Sequence, residues 1–263
     1  MFLAALTFFT AFAVSGSPAP ANGAPFEESF SYADWNAVLE AHVDERGTVD
    51  YAALARAPQS LDRFIASVER PKSDPGRFPS ANDRLAYYLN AYNAWVFRGV
   101  LARGPEKESV WKGGLVSGYS FFVGMDIVVG GEKTNLKRLE DKTIRALFAD
   151  PRIHAALNCA SRGCPRLPRK AFEPATLDAE LDAAMREFVS EERNVKADSA
   201  AHRVTLSKIF DWFDGDFLAF EKKQGNADPN LLDYVNRYRA AGAAVPRVWA
   251  VRFADYDKRL NGR

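Results

Sequence analysis

Ser80-Ala-Asn-Asp-Arg-Leu-Ala-Tyr-Tyr-Leu-Asn-Ala-Tyr-Asn-Ala-Trp-Val-Phe-Arg-Gly-Val-Leu-Ala-Arg103 is the stretch on which the fold turns. Ser80 and Asp83 have the spacing of a capping box, and Leu85, Leu89, Tyr92, Val96 and Val100 then recur at helical intervals. The spacing predicts one long helix. Asn90 and Asn93 share a second stripe of it. A buried amide needs partners, so this pair is expected to tie down a neighbouring loop or to help line a site.

Working outward, Ser31 to Asp34 opens an earlier helix through Trp35, Val38 and Leu39 that stops near Gly47. Leu61, Phe64, Ile65 and Val68 mark another, ended by Pro71, and Pro71 to Pro79 reads as a polar loop. On the other side, Tyr119 to Val129 is apolar and β-prone. Gly124 interrupts it and Gly130-Gly131 follows, which predicts a hairpin or a bulged strand pair. Asn135 to Phe148 returns to helical spacing through Leu136, Leu139, Ile144 and Leu147. Thr176 caps a helix carrying Leu177, Leu181, Met185 and Phe188. Residues 194–196 and 202–206 suit a short hairpin, Ile209 to Phe220 is aromatic-rich and partly helical, and Asp228-Pro229 starts a helix over Leu231 to Tyr238. Arg247 to Phe253 alternates as a half-exposed strand. The expected class is α+β: a single compact domain with several helices packed on a small, mostly antiparallel sheet.

The 263 residues suffice for one continuous core, and a net charge of +1 gives no field that would recruit nucleic acid or an anionic membrane. No nucleic-acid partner and no cofactor are expected. Phe2 to Val14 is almost wholly apolar, and Ala19-Pro20-Ala21 has the small-x-small form of a signal-peptidase site. Residues 1–21 are therefore expected to be a signal peptide and 22–263 the mature domain, exported to a periplasmic or secreted location. No integral membrane span is expected in that mature chain.

The chemistry concentrates in Asp150-Pro-Arg-Ile-His-Ala-Ala-Leu-Asn-Cys-Ala-Ser-Arg-Gly-Cys-Pro165, which holds both cysteines and one of three histidines. A thiol attacks as its thiolate and needs a base and oxyanion donors. Cys159 is the candidate nucleophile and His154 the candidate base, with Asn158, Ser161 and backbone amides as donors and Glu140 as a further acid or orienting group. A regular strand would put His154 and Cys159 on opposite faces, and a helix would set them about 140° apart, so a turn must bring them together. His42 and His202 are the other histidines. Arg152 and Arg162 suit a carboxylate or phosphate. Asp141 and Asp150, like Glu140, could orient His154 or act as an acid; Asp141 reads chiefly as a solvated terminus, and Asp150, which opens the motif, less so. A pocket is expected between residues 154–164 and the Asn90 and Asn93 face, taking a small-molecule or peptide substrate.

Several of these segments together resemble one family. Val49-Asp50-Tyr51, Tyr88-Leu-Asn-Ala-Tyr-Asn-Ala94, the cysteine motif, Leu206-Ser-Lys-Ile-Phe210 and Tyr256-Asp-Lys-Arg-Leu-Asn261 resemble the domain of unknown function 547 family. The resemblance implies a stand-alone exported bacterial protein and carries over no catalytic residue. Phe97-Arg98 and Lys258 to Leu260 depart from its usual pattern, and neither touches the sulfur motif.

The residues thus leave open a thiol-dependent (Cys-His) hydrolase or acyltransferase, of papain or transglutaminase type by analogy. The alternative is a non-catalytic ligand- or partner-binding domain with a Cys159–Cys164 disulfide, in which Asn158, Ser161, Arg162 and Cys164 form a structured rim. Metal binding by His154, Cys159 and Cys164 fits no zinc spacing, and four intervening residues exceed the two of a redox motif.

Overall fold

A computed structural model of the chain describes residues 30–71, 78–112 and 119–263. The expected signal peptide, the middle of the 71–79 loop and the residues before Tyr119 lie outside the described residues. The N-terminal half is helical: α1 (Ala33–His42), α2 (Tyr51–Arg56), α3 (Gln59–Glu69) and α4 (Ala81–Arg103). The long helix begins as its sequence predicts, with Ser80 accepting from the Asp83 N–H at 3.1 Å and the Asp83 carboxylate accepting from the Ser80 N–H at 3.1 Å. Its burial goes well beyond one stripe. Every residue from Leu85 to Phe97 is buried, because α4 runs through the middle of the molecule rather than along its surface.

The segment expected to be a strand pair divides. Ser120–Gly124 forms a short helix, α5, and only Ile127–Val129 (β1) and Glu132–Thr134 (β2) pair as an antiparallel hairpin. Its two-residue turn is Gly130-Gly131 with φ of 61° and 83°, which suits glycine at both positions. The next helical stretch is not regular. Leu136–Arg138 (α6) passes into a π turn at Leu139–Ile144 and resumes as α7 (Arg145–Phe148). Asp150 is extended, as the residue before Pro151 should be, and its side chain accepts from the Arg152 N–H at the head of a 3₁₀ turn, Pro151–Ala155.

After the cysteine motif come α8 (Leu177–Ser190), the hairpin β3 (Val195–Asp198) and β4 (Arg203–Leu206), α9 (Lys208–Trp212), α10 (Asp214–Lys223) and α11 (Leu231–Tyr238). The last strand, β5 (Ala250–Phe253), joins β4 in parallel, so the second sheet has the order β3-β4-β5. The architecture is α+β. Among the described residues no helix is long and apolar enough to cross a membrane.

Two apolar clusters form the interior. One gathers α1 to α4 with β1 and the π turn around Trp35, Phe64 and Phe97, where Trp35 stacks on Phe64 at 5.7 Å. The other gathers α8 to α11 with the second sheet around Phe210, Phe217 and Tyr234. The motif runs between them: Ile153, Ala156 and Leu157 pack in the first cluster and Ala155 in the second.

Candidate functional site

The turn that carries the sulfurs is fixed from three sides. Asn93 on α4 accepts from the Asn158 N–H at 2.9 Å and donates to the Ala156 carbonyl at 3.0 Å. Asn158 itself accepts from the Ala160 N–H at 2.8 Å and donates to the Pro165 carbonyl at 2.8 Å. That local bond holds Ala160 at φ 60°, a left-handed geometry that costs an alanine about 1–2 kcal/mol. The C-terminal segment closes the third side, where the Arg259 and Asp257 carbonyls accept from the N–H groups of Arg162 and Gly163 at 2.8 and 2.9 Å.

This segment delivers Tyr256. Its hydroxyl lies 3.0 Å from Cys159 Sγ and 3.0 Å from Cys164 Sγ, and the two sulfurs are 2.7 Å apart. Gly163 makes the approach possible, since a Cβ there would sit 2.8 Å from the Tyr256 ring. Both cysteines are free thiols, so the disulfide expected for an exported chain is not what the structure holds. Cys164 is buried and Cys159 only partly so.

Their environments separate them chemically. Burial alone would raise Cys164, but hydrogen bonds from the Cys159 thiol, the Tyr256 hydroxyl and the backbone N–H groups of Ser161 and Cys159 outweigh it and hold it below the usual thiol range. The Cys159 N–H contact is 3.0 Å. Burial and the neighbouring Cys164 sulfur push Cys159 upward. Cys164 is thus the readier thiolate, and Cys159 the thiol more open to a reactant.

Both sulfurs line a cavity of about 420 Å³ whose walls are largely aromatic, including Tyr92, Trp111, Phe122, Trp212 and Tyr256. His154 lines it too, brought round by the 3₁₀ turn. Its Nε2 donates to Asp216 Oδ2 at 2.8 Å, and its ring stacks on Phe213 at 4.0 Å. Burial lowers His154, so it is neutral. Asp216 stays well below the usual carboxylate range because the bonds from His154 and Arg145 outweigh its desolvation. Arg145 grips Asp216 with two nitrogens, at 2.7 and 2.9 Å, and reaches Asp141 at 3.0 Å. The sulfurs' side-chain partners are each other, Tyr256 and Ser161; His154 bonds to neither.

Glu140 enters the cavity from the π turn, a local widening that is common at functional sites. Burial raises its carboxyl to about 7, and the Tyr92 hydroxyl donates to it at 3.3 Å.

The remaining candidates sit elsewhere. Asn90 bonds the Ala86 and Phe172 carbonyls and the Phe172 N–H, so both long-helix amides brace neighbouring segments and neither lines the cavity; α4 contributes Tyr92 instead. Asn158 likewise has its side chain committed to the turn. Ser161 accepts from Trp111 Nε1 at 2.6 Å and lies 3.6 Å from Cys159 Sγ. Arg152 is enclosed by Asp150, Asp178 and Asp182, tying the 3₁₀ turn to α8. Arg162 lies on the reverse side of the motif. His42 and His202 are absent from the cavity, the latter stacked on Trp249 at 5.9 Å. Among the described residues no group of three His, Cys, Asp or Glu side chains is placed to hold a metal.

Sequence reasoning missed Asp216 and gave Tyr256 no chemical role. Tyr256 opens the C-terminal family pattern, which was a usable signal. Asp216 has no spacing or motif to mark it.

The resemblance read from the motifs is shown over the central part of the chain: residues 77–189 match the family model described as "Protein of unknown function, DUF547". The match spans α4 to α8 and includes both cysteines and His154. No curated protein and no solved structure matches the chain.

Proposed function

We propose, for a chain matched to a family whose description assigns no chemistry, that the cavity carries out thiol–disulfide exchange on a small disulfide. The observation that carries this reading is the 2.7 Å separation of the two sulfurs beneath one hydroxyl. Cys159, open to the cavity, attacks one sulfur of the disulfide; the new S–S bond forms, the substrate bond breaks, and the first thiolate leaves. The Cys159 proton passes to the Cys164 thiolate 2.7 Å away. The departed thiolate then takes that proton, and Cys164 attacks Cys159 to release the second thiolate. The pair is oxidised by two electrons and the substrate reduced by two. Tyr256 donates to whichever sulfur bears charge.

The reduced chain with excess aromatic disulfide tests this. Wild type is expected to release two thiols per chain, Cys164→Ser to stop at a mixed disulfide on Cys159, and Cys159→Ser to react far more slowly. A Cys159→Ser variant as fast as wild type would overturn the reading.

Acyl transfer or hydrolysis through Cys159 is a second reading, favoured by one specific observation: His154, oriented by Asp216, lines the same cavity. An acyl adduct on Cys159 that forms with an aryl thioester in wild type but not in Asp216→Asn would select it. A chain inert in both assays supports the non-catalytic binding domain instead. Export belongs to the same proposal, and a mature N-terminus near Asn22 in protein recovered from an exporting host is its test.

A further inference from the structure

Behind the cysteine turn, on the side away from the aromatic cavity, lies a groove of about 430 Å³. Cys164 and Pro165 line both spaces, so the wall between them is the motif itself. The two linings differ in character. The groove presents four guanidinium groups, Arg46, Arg162, Arg166 and Arg193, against two carboxylates, Glu191 and Asp257.

Two of these arginines are already fixed. Arg166 pairs with both oxygens of Glu187. Arg193 pairs with Glu191 and donates to the Arg162 and Cys164 carbonyls at 2.6 and 3.1 Å, setting a cation against the motif backbone. Arg46 and Arg162 join no carboxylate in an ion pair among the described residues; Arg162 donates to the Leu260 carbonyl at 3.3 Å through Nε, and its charge helps hold the Asp257 carboxyl down. Asp257 is itself held by Arg259. A concave surface with two ion-paired arginines and two outside any ion pair has an excess of fork-shaped donors over acceptors.

We propose that this groove binds a small oxyanion, the carboxylate or phosphate group of a ligand, through Arg46 and Arg162 against a floor that includes Ser161, Cys164 and Pro165. The shared chemistry is a compact, multiply accepting anion that can take guanidinium donors in pairs. The site is separate from the aromatic cavity and does not depend on the reaction assigned there.

Calorimetric titration of the full-length mature chain at low ionic strength, with inorganic phosphate in one arm and succinate in the other, tests it. Saturable binding of at least one probe is expected, weakened about tenfold or more in the double variant Arg46→Ala and Arg162→Ala. Lys222→Ala with Lys223→Ala removes the same charge at the exposed end of α10 and is expected to leave affinity unchanged. Which probe binds identifies the group. Absence of saturable binding for both, or an equal loss in the two double variants, overturns the proposal. An unchanged thermal midpoint in the arginine variant shows that a loss reflects the groove and not unfolding.

Discussion

Tyr256 offers one hydroxyl to two sulfurs, so its removal should be felt by both. Tyr256→Phe withdraws a donor from the Cys164 sulfur, and the midpoint of its ionisation is expected to rise, read from the pH dependence of thiolate ultraviolet absorbance. Gly163→Ala should reproduce that rise without touching the hydroxyl, because its methyl would displace the ring. An unaltered titration in both variants would remove Tyr256 from the account. Two carboxyls give pH predictions of opposite sign. Glu140 is raised in the fold to about 7, so the stability it contributes is complete below its unfolded value and lost as pH rises through 7. Glu140→Gln is therefore expected to gain about 3 kcal/mol over wild type at pH 8 and nothing at pH 4. Asp216 is depressed, so its contribution is present above the unfolded carboxylate value and fades only as pH falls through its low folded one. Asp216→Asn should cost about 2 kcal/mol at pH 7, with the gap closing in strong acid. Urea unfolding of the variants at those pH values reads both effects.

At the level of elements, α4 was the most legible part of the chain and the π turn the least. The Ser80 cap and the apolar recurrence located the helix within a residue or two, while burial all round it came from its central place, which periodicity does not encode. Leu136, Leu139, Ile144 and Leu147 have helical spacing whether or not an extra residue is accommodated at Leu139–Ile144, the turn from which Glu140 enters the cavity. The hairpin expected from 119–129 formed only at its C-terminal end, Ile127–Val129 with the Gly130-Gly131 turn, and the first part became helix for a similar reason. Apolar residues buried against α4 satisfy a short helix as well as a strand, and Phe121 and Phe122 are in fact helical. Asn93 tests how far α4 holds the motif in place. Asn93→Ala leaves the Asn158 N–H without its acceptor in a buried setting and is expected to cost about 2–3 kcal/mol, measured by urea unfolding. Faster alkylation of Cys159 should accompany the loss.

Across the whole molecule, the cysteine motif lies where two apolar cores meet, with an aromatic cavity on one side and an arginine-lined groove on the other. The sequence reading found the motif, its thiols and His154, all of which are local in the chain. It did not assemble Tyr256 and Asp216 with them, since the partners lie 92 and 62 residues away and are joined only by the packing of α9, α10 and the C-terminal segment. The local turn around Asn158 makes the sulfurs neighbours despite a spacing wider than the usual redox motif, and the long-range closure sets Tyr256 over them. The most direct test of the paired sulfurs is a redox equilibrium: the chain incubated across a series of oxidised and reduced dithiothreitol ratios, quenched by alkylation and weighed intact. A single reversible transition between two alkylated thiols and none, lighter by two hydrogens and abolished in Cys159→Ser and Cys164→Ser, is the predicted result. Two alkylated thiols at every ratio would contradict it.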